Sequence, residues 1–260
     1  MNRWILALAL ALSLAAAGFA QDAAAPAEGA AAQPAEPAGP QPKSQEELDA
    51  LMAIQNAAGP ADRAAAADKL LKDFPETEFT EFANYMQMLA YMEMNDFDNM
   101  VIFGERTLEI NPDNVGVLLQ LASTIPTRVG TFDLDKEEKL GKAEDFANKA
   151  MTLVPNLAKM DPAMTDEQWL MVKKDFMGQA NEALGLVAGK RDEHDKAVEF
   201  LTKSLTLASQ QSSQTFYFLA EAYHKLGKKD EGLNAINKTL ELGNFPPSLA
   251  QDLKKKLEAM

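Results

Sequence analysis

Few residues in this chain could do acid–base or ligand chemistry. There are two histidines, His194 and His224, and no cysteine, which excludes disulfides, thiolate metal sites and thiol nucleophiles. His194 stands at the start of a helical stretch and is read as a packing residue. His224 follows Tyr223 on a helical stretch and is read as a residue that could line a groove. Asp133, Asp135, Glu137 and Glu138 crowd together but lack the glycine and closing glutamate of a calcium loop. A better reading makes Asp135 a helix cap, with Glu137 and Glu138 in the first turn, where the helix dipole favours acids. Asn237-Lys238-Thr239 matches a glycosylation sequon, yet it falls inside a helical stretch and is read as accidental. No phosphate-binding glycine loop, HExxH or GxSxG occurs. The expectation is a non-enzyme with no catalytic residue, no metal and no cofactor.

Charge narrows the partners. Of 260 residues, 39 are acidic and 25 basic, for a net charge of -14. Nucleic acid needs clustered Lys and Arg, so it is excluded as a partner. An acidic protein repels anionic lipid and favours basic protein segments or a cationic ligand; the plainer meaning of the same charge is solubility.

Residues 1–20 read as a secretory signal peptide. Arg3 gives a positive start, an apolar run extends from Trp4 to Ala17, and Gly18-Phe19-Ala20 places small residues at a cleavage point. The rival is an uncleaved N-terminal membrane anchor, for which a run of about 17 residues is short. Residues 21–44, rich in Ala and Pro, hold too little apolar bulk to repay folding. They read as a disordered linker with a reach of roughly 70 Å, or as a passive leader. The chain is therefore expected in a bacterial periplasm or outside the cell, with no stable membrane span after cleavage.

From Gln45 onward helix formers dominate and no alternating strand pattern appears. A helix-ending phrase recurs: LLKDFPE (70–76), TLEINPDN (107–114), AMTLVPN (150–156), SLTLASQ (204–210) and TLELGNF (239–245). Leu71, Leu108, Met151, Leu205 and Leu240 form one apolar column, spaced by 37, 43, 54 and 35 residues. Ile110, Leu153, Leu207 and Leu242 form a second column, and Pro75, Pro112 and Pro155 stop the first three helices. A period near 34 with insertions means stacked helical hairpins, each burying its neighbour's apolar face. Such arrays usually bind other proteins.

The second unit pairs Glu81–Asn95 with Phe97–Ile110, and Tyr91 is expected to meet Phe97 across the turn. These residues resemble the tetratricopeptide repeat, whose pattern is W-x2-L-G-x2-Y, then A-x3-F, then A and P. Tyr91 and Pro112 take the Tyr and Pro slots, while Met88 stands where Gly or Ala is usual and Gly104 where an aromatic is usual. The fourth unit offers Leu184-Gly185, then Ala197, Leu201 and Ser204. The fifth offers Phe216, Leu219, Ala220, Tyr223, Gly227, Ile236 and Thr239. The third keeps Leu118, Leu121, Ala122, Ala143, Ala147, Ala150 and Pro155; the first, weakest unit has Leu51, Ile54, Ala67, Leu70 and Pro75. Pro246-Pro247-Ser248 opens a last helix with Leu249, Leu253 and Leu257 on one face, a lid for the stack.

The resemblance implies an all-α, right-handed α-solenoid over 45–260, with about five hairpins, a C-terminal capping helix and insertions near 126–135 and 156–177. It implies an exported adaptor or scaffold that binds a protein or peptide on the concave face lined by first helices. Carried over, that groove holds Phe82, Tyr85, Met86, Leu89 and Met92 in the second unit, and Tyr217, Phe218, Glu221 and His224 in the fifth. Leu48 and Met52 extend it at the front. Burial of the same residues between repeats is the alternative. Relatives that grip a chaperone's C-terminal carboxylate use basic residues and Asn, whereas Leu48, Met52, Met86 and Glu182 occupy such slots here, which argues against that ligand. The first insertion reads as a contact loop. The second lengthens the next helix and offers Trp169, Leu170, Val172 and Phe176 as a packed spacer. A second functional reading is a small-molecule carrier or sensor with a pocket around Trp169.

Overall fold

The computed structural model describes residues 40–130 and 132–260, so the expected signal peptide and most of the expected linker lie outside it. Eleven α-helices and no strand are found among the described residues. They run as antiparallel pairs: α1 (Gln45–Gln55) with α2 (Pro60–Asp73), α3 (Thr80–Glu93) with α4 (Phe97–Ile110), α5 (Val115–Arg128) with α6 (Lys136–Leu153), α7 (Asp166–Lys190) with α8 (His194–Leu207) and α9 (Ser213–Lys225) with α10 (Lys229–Leu242). The last helix, α11 (Pro247–Glu258), closes the end against α10 and α9. Each pair packs on the next, which makes an α-solenoid of five hairpins and a cap.

Local signals set the ends. Ser44, Asp96, Asn114 and Ser212 each accept a backbone N–H of the first turn they precede, and Thr165 with Gln168 forms a full capping box. The turn inside the hairpin repeats as well. Asn95, Asp192 and Gly227 are all left-handed, with φ of 58°, 60° and 71°. In each case the next residue donates a backbone bond of 2.9 Å to a carbonyl five back: Asp96 to Tyr91, Glu193 to Ala188, Lys228 to Tyr223. This is the six-to-one bond that closes a helix C-terminus. Unit three replaces it with an insertion. Glu47, 2% exposed, fixes the chain's entry: Thr77 Oγ1 and the Lys43 N–H both donate to its carboxylate at 2.6 Å. The Thr77 hydroxyl, helped by that N–H, holds its pKa below the usual carboxylate value.

Packing follows a trade between large and small. A Cβ on Gly185 would lie 2.6 Å from Leu201 Cγ, so α7 and α8 touch only because residue 185 has none. In unit two the sizes are exchanged. Met88 is 1% exposed and fills the usual glycine slot, while Gly104 admits Leu121 of the next hairpin. Two expectations need correction. Tyr91 stacks on Phe103, with centroids 5.3 Å apart, and Phe97 instead lies under the Arg128 guanidinium. On α11 the buried stripe is Ala250, Leu253 and Leu257, and Leu249 is half exposed, because 3.6 residues per turn carries 249 off the seam.

The insertions differ from each other. Helix α5 continues through Pro126 to Arg128, so the first interruption is 129–135 rather than 126–135. Val129 anchors it, buried, with its carbonyl accepting Lys190 Nζ at 2.7 Å. Asp135 precedes α6, but its carboxylate pairs with Lys139 at 3.0 Å and caps no backbone N–H. The second interruption has a 3-10 turn (Val154–Asn156) and a loop, and it extends α7 at its front, as expected.

Candidate functional site

The first helices α3, α5, α7 and α9 present adjoining faces, and between them lies a hollow of about 430 Å³. Tyr85, Leu89 and Met92 from α3 form its oily wall. Gln120 from α5 and Thr215 from α9 contribute polar groups. Val172, Phe176, Gln179 and Glu182 come from α7 and form the opposite wall, the first two of them from the turns added by the second insertion. Asp175 pins that wall: it accepts the Ser209 backbone N–H at 2.6 Å and its hydroxyl at 2.8 Å. A smaller hollow of about 290 Å³, lined by Met164, Gln168 and Met171, shares Val172 and Asp175 with the first. The two hollows adjoin along α7.

Of the residues expected in the groove, Tyr85, Leu89 and Met92 line the main hollow, although Leu89 is only 9% exposed. Phe82 is half-buried on α3, packed against the front core. Met86 belongs to that core with Leu51, Ala67 and Leu70 and is 8% exposed. One step of about 100° around α3 separates Met86 from Tyr85 and turns it inward. The rear group forms a separate cluster. Tyr217 stacks on Phe245 at 4.3 Å, meets Phe218 edge-on and donates its hydroxyl to Glu221 Oε1 at 3.2 Å. His224 is half-buried one turn on, at the end of α9.

Burial sets the electrostatics. Desolvation pushes the Glu182 carboxyl above its usual pKa, and a hydrogen bond with Thr215 pulls it partly back. Desolvation also raises Glu221, opposed by the Tyr217 hydroxyl and by Lys190, Lys225 and Lys256. Tyr217 is pushed to about 12, first by burial and then by the Glu221 charge. Burial alone raises Tyr85. No Lys, Arg or His is among the described residues that line the main hollow.

The remaining candidates for chemistry are occupied. Arg191 bridges Glu137 at 3.0 Å and Glu144 at 2.6 Å, and Asp133 Oδ2 accepts the Gly130 N–H. Thr239 of the sequon is 1% exposed, with its hydroxyl turned to the Ala235 carbonyl. His194 is mostly buried, 3.7 Å from the Asp192 carboxylate. Trp169 is 6% exposed and its indole N–H donates to the Leu157 carbonyl at 3.2 Å, so it packs the loop and does not line either hollow. No group of three or more metal-ligating side chains occurs among the described residues. No helix among them is long and apolar enough to cross a membrane.

Sequence reasoning placed Glu182 in a groove slot but missed the rest of α7 as the second wall. The signal was present in Val172, Asp175, Phe176, Gln179 and Glu182, spaced three or four apart on one helix face.

Comparison with known proteins agrees with this architecture. Residues 213–242, which include α9 and α10, match the sequence pattern of the tetratricopeptide repeat. No curated protein matches the chain. Among solved structures, a thermophilic tetratricopeptide-repeat protein of Thermus thermophilus is 19% identical, with TM-score 0.52 over 81% of this chain and 98% of its own. PilW, a type IV pilus biogenesis factor, is 16% identical, with TM-score 0.56 over 83% and 87%. MamA of Desulfovibrio magneticus RS-1 is 12% identical, with TM-score 0.55 over 76% and 96%. The chain thus resembles bacterial tetratricopeptide-repeat proteins, and at these identities the likeness shows the fold alone.

Proposed function

We propose that this chain is an exported, non-catalytic adaptor that holds an extended segment of a partner protein against its concave face. One observation carries the reading: the hollow between α3 and α7 is open to the surface, walled by Tyr85, Met88, Met92 and Phe176, and adjoined along α7 by a second hollow. Methionine and aromatic residues anchor adaptable interfaces because they offer large area at modest entropic cost. The repeat fold supports a protein partner, since proteins of this architecture serve as interaction scaffolds. Export rests on the signal-like sequence of residues 1–20.

The test is recovery of a partner from the cell envelope by affinity purification. Tyr85→Asp with Met92→Asp is the informative variant, because both side chains line the hollow and neither belongs to the fully buried core. Loss of recovery with helicity retained is expected; unchanged recovery sinks the groove assignment. Met86→Asp is unsuitable, since a charge there would enter the front core.

A further inference from the structure

The proposed groove has a chemical bias of its own, and an inference about that bias rests on the groove reading. We infer that the main hollow selects a partner segment carrying a lysine or arginine beside an apolar residue, with the cation seated on Glu182 and the apolar neighbour between Tyr85, Met92 and Phe176.

Three observations converge. First, the polar side of the hollow is rich in acceptors. Glu182 lies there with Thr215 as its hydrogen-bond partner and no ion pair. The Gln120 amide nitrogen donates to Thr124 Oγ1 at 3.2 Å, so its carbonyl oxygen is the end left to accept. Second, no cationic side chain lines the hollow, so nothing there compensates the carboxylate. A charge held in such surroundings is unfavourable until a counter-charge arrives, and a basic guest supplies it. Third, the wall opposite is apolar, and the stem of a long basic side chain packs on such a surface while its head reaches the acceptor. The smaller hollow, which shares Val172 and Asp175 with the first, lies beside it along α7, and two adjoining hollows suit a peptide better than a compact ligand. The chain's net charge of -14 adds attraction at long range for a basic segment.

The test uses two fluorescein-labelled nonapeptide pools that differ at one fixed position, Leu-Lys-Leu against Leu-norleucine-Leu, titrated into the full chain by anisotropy. The lysine pool is expected to bind about tenfold tighter. Glu182→Gln, checked for helicity and melting, is expected to bring that ratio near one while leaving the norleucine pool unchanged. Equal affinity for both pools, a ratio untouched by Glu182→Gln, or no binding of either pool overturns the inference. The groove reading fails separately. Binding that survives Tyr85→Asp sinks the groove, whereas binding abolished by Tyr85→Asp but indifferent to lysine sinks only the charge preference.

Discussion

Segments 129–135 and 154–165 both interrupt the repeat, and they are tied to the rest of the fold differently. In the first, Phe132 and Leu134 stand 94% and 107% exposed, and among its described residues only Val129 is buried. The second is bound on several sides. Trp169 is buried over it, Lys173 Nζ donates to the Pro155 carbonyl at 2.7 Å, and Lys159 pairs with Asp166 at 2.6 Å. The difference lies in the elements that each insertion joins. Segment 129–135 connects two helices of one hairpin and has room only at the rim. Segment 154–165 connects two hairpins and feeds directly into α7, so its sequel becomes a wall of the hollow. An insertion between units therefore remakes the concave face, while an insertion within a unit decorates its edge.

This contrast can be broken at graded strengths. Trp169→Ala should cost about 3–5 kcal/mol, the range for an emptied aromatic site, and should release the front of α7; urea unfolding measures the first and hydrogen exchange over 166–177 the second. Asp175→Ala removes the acceptor for the Ser209 N–H and hydroxyl, and should cost about 1–3 kcal/mol, the penalty for orphaned polar groups. Exchange should rise in the loop after α8 while α7 stays protected, because Trp169 still holds it.

Glu182→Gln tests the same wall through pH. The folded pKa of Glu182 lies above its unfolded value, so the native state binds that proton more tightly. The ionised group opposes folding above the raised pKa, and the opposition fades as pH falls through it. The Gln variant should therefore melt higher at pH 8, by an amount on the order of a few degrees, and the gap should shrink toward pH 5. A gap that widens on acidification would contradict the assignment. Smallest of all, Phe132→Ser with Leu134→Ser should change stability by less than about 0.5 kcal/mol, since neither side chain is packed.

The hairpins were legible because helix periodicity, the recurring apolar column and the stopping prolines act locally. The second helix of unit two runs Phe97–Ile110, as the letters indicate. The left-handed turn was visible only at Gly227. Asn95 and Asp192 adopt the same conformation, but their short polar side chains hide it among ordinary surface residues. The exchange of Met88 and Gly104 was visible as a departure from the repeat, yet its meaning needed Leu121 of the next hairpin. The hollow between α3 and α7 was half legible. Tyr85, Leu89 and Met92 follow from repeat register, but their partners on α7 lie some ninety residues on, and no local pattern brings Glu182 opposite Tyr85. Met86, expected beside Tyr85, packs into the front core because a single residue step decides between hollow and core.

Photo-crosslinking in the native host tests the central claim most directly. A benzoylphenylalanine at Gln179, exposed in the hollow, is compared with one at Glu199, exposed on α8. A discrete protein adduct from Gln179 and none from Glu199 is the predicted result. The same adduct from Glu199, with Gln179 silent, would contradict binding in the concave hollow.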